Sequence, residues 1–294
     1  MTRVAHTDSA YLLGHSSTET DRLVLQARLY DPITEQALRT AGLRPGMRVL
    51  DVGCGAGDVT FAAARIVGPT GSVTGVDAAP RALDVARARA ATRSPGPDGE
   101  APISFRRMTL PDVDLDLDGP VDAVIGRLVL GHLSDPVTAL RRLSRLVRPG
   151  GLVVFQDFDN FPLRVEPGAP LTGAVLEAIA AALTVNGSSL GTGARLYSLF
   201  RRAGLAAPGL SATTPMGGAE DDTVLPLVVQ TYRALSQAAL PGNERAGDLA
   251  ERIGDVDTLL GRMRAEIAEA HAVVIMPTAV TAWSRIPESA EHTS

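Results

Sequence analysis

The residues best placed to do chemistry fall in one short run, Asp51-Val52-Gly53-Cys54-Gly55-Ala56-Gly57-Asp58. Glycine at every second position keeps side chains off a loop. Only glycine adopts positive φ at little cost, so such a chain can turn sharply and bring backbone N–H groups against a bound molecule. Val49, Leu50 and Val52 before the loop read as a buried strand. After Asp58, the spacing of Val59, Ala62, Ala63, Ile66 and Val67 reads as a helix. A strand, a glycine loop and a helix N-terminus are the parts from which α/β folds build nucleotide sites. The dinucleotide fingerprint would need a third glycine at position 58, which is Asp58. That argues against a nicotinamide oxidoreductase.

Asp51-x-Gly53-x-Gly55-x-Gly57 instead resembles motif I of class I S-adenosylmethionine (SAM) methyltransferases. Ser72-Val73-Thr74-Gly75-Val76-Asp77 reads as a second strand ending in an acid, which can accept both ribose hydroxyls. The resemblance implies a seven-stranded, mostly parallel, doubly wound Rossmann-like α/β sheet. With it come an N-terminal helical lid over residues 1–41, a SAM-binding core over 42–164, and helical cap insertions among the remaining strands over 165–294. It implies cofactor contacts from Asp51, Gly53, Cys54, Gly55, Gly57, Asp77 and Ala78, and from Tyr11 and Gln26 in the lid. The family's adenine-binding Gly-Asp is replaced here by Met108-Thr109-Leu110, so Thr109 and the Leu110 N–H are the expected substitutes. Small metabolites and natural products are the substrates that the resemblance implies.

The elements that must position these groups alternate along the chain. Ile103–Arg107 and Val121–Gly126 read as the third and fourth strands, and Leu152–Phe155 as the fifth. Helices are expected over Leu23–Tyr30, Pro32–Ala41, Pro80–Arg93, Val137–Val147, Leu171–Leu183, Tyr197–Ala203, Thr223–Leu240 and Arg245–Ala270. Pro208–Thr214 reads as the sixth strand, and the last strand falls at Val273–Ile275 or Thr278–Trp283. Strand alternating with helix implies a parallel sheet, whose ligands sit at the carboxyl ends of the strands. Arg127 and His132 follow the fourth strand, at that crevice. A guanidinium can bind a carboxylate through two parallel hydrogen bonds, so Arg127 suits the SAM carboxylate or an anionic substrate. His132 titrates near neutrality and is the leading candidate for a base that takes a proton from the methyl acceptor. Asp157 and Asp159, after the fifth strand, are secondary candidates for orienting substrate; His271 reads as structural.

Asp157 and Asn160 invite comparison with magnesium-dependent catechol methyltransferases, but those need an acid where this chain has Gly126-Arg127, so no metal is expected. The acidic run Asp112, Asp114, Asp116, Asp118 reads as a solvated loop. The chain of 294 residues carries a net charge of −5, which argues against broad nucleic-acid binding. All 28 basic residues are arginine, which fits a GC-rich coding bias. The single cysteine, Cys54, excludes an internal disulfide and reads as a small loop residue rather than a nucleophile. No signal-like or membrane-spanning run is found, so a cytoplasmic protein is expected, with a small-molecule partner and a possible homodimer. Three other activities fit the residues less well or equally: a SAM-binding enzyme that cyclises, dehydrates or rearranges its substrate, the oxidoreductase above, and a non-catalytic binding protein.

Overall fold

The structure is a computed structural model that describes residues 17–94, 99–110, 119–159, 163–185, 191–238 and 244–288. Tyr11, the acidic run from Asp112 to Asp118, and Asn160 lie outside the described residues. In chain order the elements are α1 (Ser17–Ala41), β1 (Arg48–Val52), α2 (Asp58–Val67), β2 (Ser72–Asp77), α3 (Pro80–Thr92), β3 (Ile103–Arg107) and β4 (Val121–Arg127). A single 3₁₀ turn at Leu130–His132 follows, then α4 (Pro136–Ser144), β5 (Val147–Asp159), β6 (Arg164–Glu166), α5 (Pro170–Val185) and α6 (Thr192–Arg202). Then come β7 (Gly209–Thr213), β8 (Met216–Gly217), α7 (Val224–Ala238), α8 (Glu244–Ile253), α9 (Leu259–Glu269), β9 (Val273–Ile275) and β10 (Thr278–Arg285).

These elements form two compact units interleaved along the chain. The larger runs from Leu29 through β5 and adds the stretch carrying α6 and β7, then β10. Its seven-stranded sheet has the order β3-β2-β1-β4-β5-β10-β7. β1 to β5 pair in parallel, while β10 pairs antiparallel with both β5 and β7. The strand order reverses between β1 and β4, the switch point where doubly wound sheets open a ligand crevice. The smaller unit holds α5, α7, α8 and α9 with a three-stranded sheet in the order β6-β9-β8.

Strand residues alternate between two cores, one on each face of the large sheet. Leu50, Val52, Val124, Val153 and Phe155 pack with Leu140 and Leu143 of α4 and Leu196, Leu199 and Phe200 of α6. Val49, Ala123, Ile125, Leu152 and Val154 pack with Leu38 and Ala41 of α1 and with Val59, Ala63, Ile66 and Val67 of α2. The same period of two sends the polar residues to defined faces. Asp51, Arg127 and Gln156 share the α1–α2 face, while Asp157 has the parity of Phe155 and faces α4 and α6.

Several expected boundaries are corrected. The two N-terminal helices are one 25-residue helix that runs through Pro32. A proline costs a helix one backbone hydrogen bond, and the burial of Tyr30, Thr34, Ala37, Leu38 and Ala41 around it offsets that loss. The second half of α1 is thus a core helix lying on the sheet. The single helix expected over Arg245–Ala270 is two, α8 and α9, parted at Gly254, whose φ of 68° cannot continue a helix. Both proposed last strands exist, β9 in the small sheet and β10 in the large one. The small sheet itself was not expected, because runs of two and three residues leave no periodic signal.

Candidate functional site

β1 ends at Val52, and Gly53, Gly55 and Gly57 all have positive φ, at 65°, 52° and 92°. Each glycine answers a different demand. A Cβ on Gly53 would lie 2.5 Å from Cγ2 of Val129, and one on Gly57 would lie 3.0 Å from Cε2 of Phe61. A Cβ on Gly55 would meet nothing within 4 Å. The middle of the loop therefore faces open space, with its backbone bare for a ligand to approach. Two partners fix its path. The Cys54 N–H donates to the Val76 carbonyl at 3.0 Å, and the Gly57 N–H donates to the Cys54 carbonyl at 2.8 Å.

Asp77, at the tip of β2, lies against this loop. Its Oδ2 accepts from the Gly55 N–H at 2.9 Å and its Oδ1 from the Ala79 N–H at 2.8 Å. Each oxygen keeps lone-pair capacity for a ribose hydroxyl. Ala78 beside it is exposed. The end of β3 follows, with the Met108 N–H bonded to the Asp77 carbonyl at 2.9 Å, which carries exposed Thr109 and half-buried Leu110 to the same end of the sheet.

Asp51 forms the floor. It is 1% exposed, and its Oδ2 accepts from the Thr60 hydroxyl of α2 at 2.5 Å. Burial pushes its carboxyl up to about 7 against the help of Thr60 and Arg127. Cys54 is buried too, and burial together with the carboxylates of Asp51 and Asp77 drives its thiol far above the usual range. It stays a neutral thiol and acts as a small loop residue.

Arg127 ends β4. Its side chain is only 6% exposed, and it pairs with Asp31 of α1 at 2.9 Å while also donating to the Thr34 hydroxyl at 3.0 Å. A second nitrogen lies 3.8 Å from Asp58 at the start of α2. The Thr34 hydroxyl sits 2.7 Å from Oε1 of Gln156, whose amide donates to Thr281 at 2.8 Å. Arg127 is thus tied into a buried network that links α1, α2, β4, β5 and β10, with protein carboxylates already at its fork. Burial raises the Asp31 carboxyl, opposed by Arg127.

Leu128, next in sequence, has φ of 58°, rare for a side chain of its size. Its N–H donates to the Gln156 carbonyl at 2.9 Å, so the sheet holds the strain. The reversal throws Val129 against Gly53 and starts the turn that carries His132. His132 closes this turn. Partial desolvation lowers its pKa, which leaves it neutral and able to accept a proton at pH 7.

Asp157 stands behind that turn on the other face of the sheet. It is 7% exposed, accepts from its neighbour Phe158 at 2.9 Å and approaches the Gly131 N–H at 3.4 Å. Burial raises its carboxyl to about 6. Two more glycines allow this packing: a Cβ on Gly131 would lie 2.8 Å from Oγ1 of Thr192, and one on Gly193 would lie 2.9 Å from the Asp157 carbonyl. Asp157 therefore braces the His132 turn against the start of α6.

Gln26 accepts from Arg22 within α1 at 2.7 Å. His271, at φ 50°, closes the end of α9 with its N–H on the Ala268 carbonyl. Among the described residues no group of three or more His, Cys, Asp or Glu is placed to hold a metal, and no helix is long and apolar enough to cross a membrane. Sequence reasoning missed Asp31, Thr34, Thr60 and Gln156. Each partners a site residue from another element, and none carries a local signal beyond a polar residue in an apolar stretch.

Comparison with known proteins places the chain. Residues 43–204 match the family described as methyltransferase domain. An uncharacterized 37.1 kDa protein in a transposon of Streptomyces fradiae is 30% identical over 227 residues, 73% of this chain and 59% of that protein. A demethylmenaquinone methyltransferase of Staphylococcus aureus is 34% identical over 120 residues, 41% of this chain and 46% of that one. The chain thus spans about half the length of these relatives. Among solved structures, the YcgJ protein of Bacillus subtilis superposes with a TM-score of 0.54 at 16% identity, over 86% of this chain and 97% of that one, which speaks for the shared fold. With the matched segment running through the glycine loop, Asp77, Arg127, His132 and Asp157, the chain belongs to the methyltransferase-domain family.

Proposed function

We propose that the protein is a SAM-dependent methyltransferase acting on a small molecule, with in-line displacement at the methyl carbon. The observation that carries this reading is the pairing of Asp77 with Gly55. An acid at the end of β2 is bonded to the one glycine of the loop that opens on free space. Asp77 would hold the ribose hydroxyls, the bare backbone of Gly53 to Gly57 would lie along the cofactor, and Thr109 and Leu110 would edge the adenine. Asp51 would supply negative charge beneath it. When bound, SAM brings a methyl group already activated on a sulfonium, so the protein has to orient the acceptor and exclude water.

His132 is the group we assign to the acceptor's proton. Its turn is set against the loop through Val129 and Gly53, and it is neutral at pH 7. Asp157 is assigned to substrate orientation or to the support of that turn. Asp31 already occupies the Arg127 fork, so the contact of Arg127 to the SAM carboxylate gives way to a role in holding α1 and α2. The acidic net charge favours a small-molecule acceptor over a nucleic acid.

The test is isothermal titration of the purified protein with S-adenosylhomocysteine (SAH), alongside Asp77→Ala and Gly55→Arg. Saturable binding by the wild type and its loss in both variants, each folded by circular dichroism, is the expected result. Undiminished binding in Asp77→Ala would move the cofactor elsewhere.

A further inference from the structure

Arg89 of α3 has no assigned role, yet it reaches back onto the glycine loop. One guanidinium nitrogen donates to the Ala56 carbonyl at 2.7 Å, and another pairs with Asp58 at 2.7 Å. The guanidinium also lies over the Phe61 ring, 5.1 Å from its centre. The other oxygen of Asp58 faces Arg127, which pairs with Asp31. Charges therefore alternate as Arg89, Asp58, Arg127, Asp31 across the start of α2. Successive residues of the loop are held from two sides: the Gly55 N–H by Asp77 and the Ala56 carbonyl by Arg89.

We propose that Arg89 is a positioning residue that holds the glycine loop in the shape the cofactor needs; its binding arm rests on the SAM reading above. Three glycines within five residues give this loop wide conformational freedom, and every backbone group presented to a ligand must be ordered before it can bind. The loop cannot be stiffened by side chains of its own without filling the space the ligand needs. Restraint has to come from outside, and Arg89 supplies it at the carbonyl between Gly55 and Gly57. A planar fork can hold a carbonyl and a carboxylate together, whereas a lysine offers a single point charge. The Arg89 side chain is 41% exposed, so its ion pair adds little to global stability. Its effect is concentrated in the loop.

The experiment compares wild type, Arg89→Ala, Arg89→Lys and Asp58→Asn as full-length proteins. Amide hydrogen exchange is followed in peptides covering residues 53–58 without ligand, with peptides of β5 and β10 as the control for the fold, and SAH affinity is measured by calorimetry. Arg89→Ala is expected to speed exchange in the loop and raise the Kd for SAH by about tenfold, with β5 and β10 unchanged. Asp58→Asn should move both readouts the same way, and Arg89→Lys should fall between. A residue that only supports the fold would alter β5 and β10 as well. Unchanged loop exchange in Arg89→Ala, or a freed loop that binds SAH as tightly as before, overturns the proposal. A wild type that ignores SAH overturns the cofactor assignment instead, and the loop readout still decides whether Arg89 restrains the loop.

Discussion

The Asp51 carboxylate and the Thr60 hydroxyl meet at 2.5 Å beneath the glycine loop, and both residues are almost wholly removed from solvent. One hydroxyl does not replace the water an ionised carboxylate loses. Burial consequently leaves Asp51 with a pKa of about 7, compared with 3.8 for the free side chain. Between those values the folded protein holds a proton that the unfolded chain has released, so stability falls as pH rises through the window from about 4 to 7. The contribution reaches roughly 4 kcal/mol at most. Urea unfolding at pH 5 and at pH 8 should show this slope, and Asp51→Asn should flatten it. SAM, with a sulfonium and an ammonium, favours the ionised form. Its thermal stabilisation of the protein should therefore be larger at pH 8 than at pH 6; equal shifts at both would remove Asp51 from the cofactor's surroundings.

Arg127 neutralises carboxylates on two helices. Arg127→Ala leaves Asp31 and Asp58 facing one another without their shared partner. Loss of a buried partner costs about 3–5 kcal/mol, and the partial exposure of Asp31 places this case at the lower end. Chemical denaturation should report that loss. The double variant Arg127→Met with Asp31→Leu should recover most of it, since apolar packing replaces the pair rather than stranding a charge. No recovery would mean that Arg127 acts elsewhere.

His132 should affect turnover and spare the cofactor. With product SAH followed across a panel of small phenols, amines and carbon acids, His132→Ala is expected to lower kcat by about a hundredfold or more, with SAH affinity within about twofold of wild type. The base must be neutral to work, and desolvation holds its pKa below 6.5. The acidic limb of the rate profile should fall below that value and vanish in His132→Ala. A variant with wild-type turnover would assign the imidazole to structure.

Asp157 separates bracing from chemistry. Asparagine keeps one acceptor oxygen for the Phe158 N–H, gives up the one that faces the Gly131 N–H, and removes the charge whose burial raises the pKa to about 6. The ionised form is penalised above that pH, so Asp157→Asn should match or exceed wild-type stability at pH 8. If the residue only braces the turn, kcat should fall modestly in Asp157→Asn, which keeps one of the two accepting oxygens, and further in Asp157→Ala, with KM little changed. If the carboxylate orients substrate directly, both variants should raise KM.

The glycine loop, the acid of β2 and five parallel strands were legible in the sequence because each is local: a spacing, an apolar run, a turn. The α1–α2 side of the site was not. Asp31 and Thr34 sit in a helix whose pattern says only that one face is buried, and Pro32 between them argues for a break that the fold overrides. Thr60 looks like an ordinary helix residue until β1 brings Asp51 beneath it. At Arg127, where the SAM carboxylate or an anionic substrate is expected, the guanidinium pairs with Asp31 of α1. A partner on a distant element leaves no mark at either position.

β10, the last strand among the described residues, lies between β5 and β7. Until Thr278–Arg285 arrives, Leu152–Asp159 presents an unpaired apolar edge and Gly209–Thr213 has no strand to join. During synthesis the sheet can therefore assemble from β1 to β5 but cannot join β5 to β7 until β10 emerges, long after the glycine loop is made. The nascent protein carries an open edge through that interval, the condition under which strands recruit other chains.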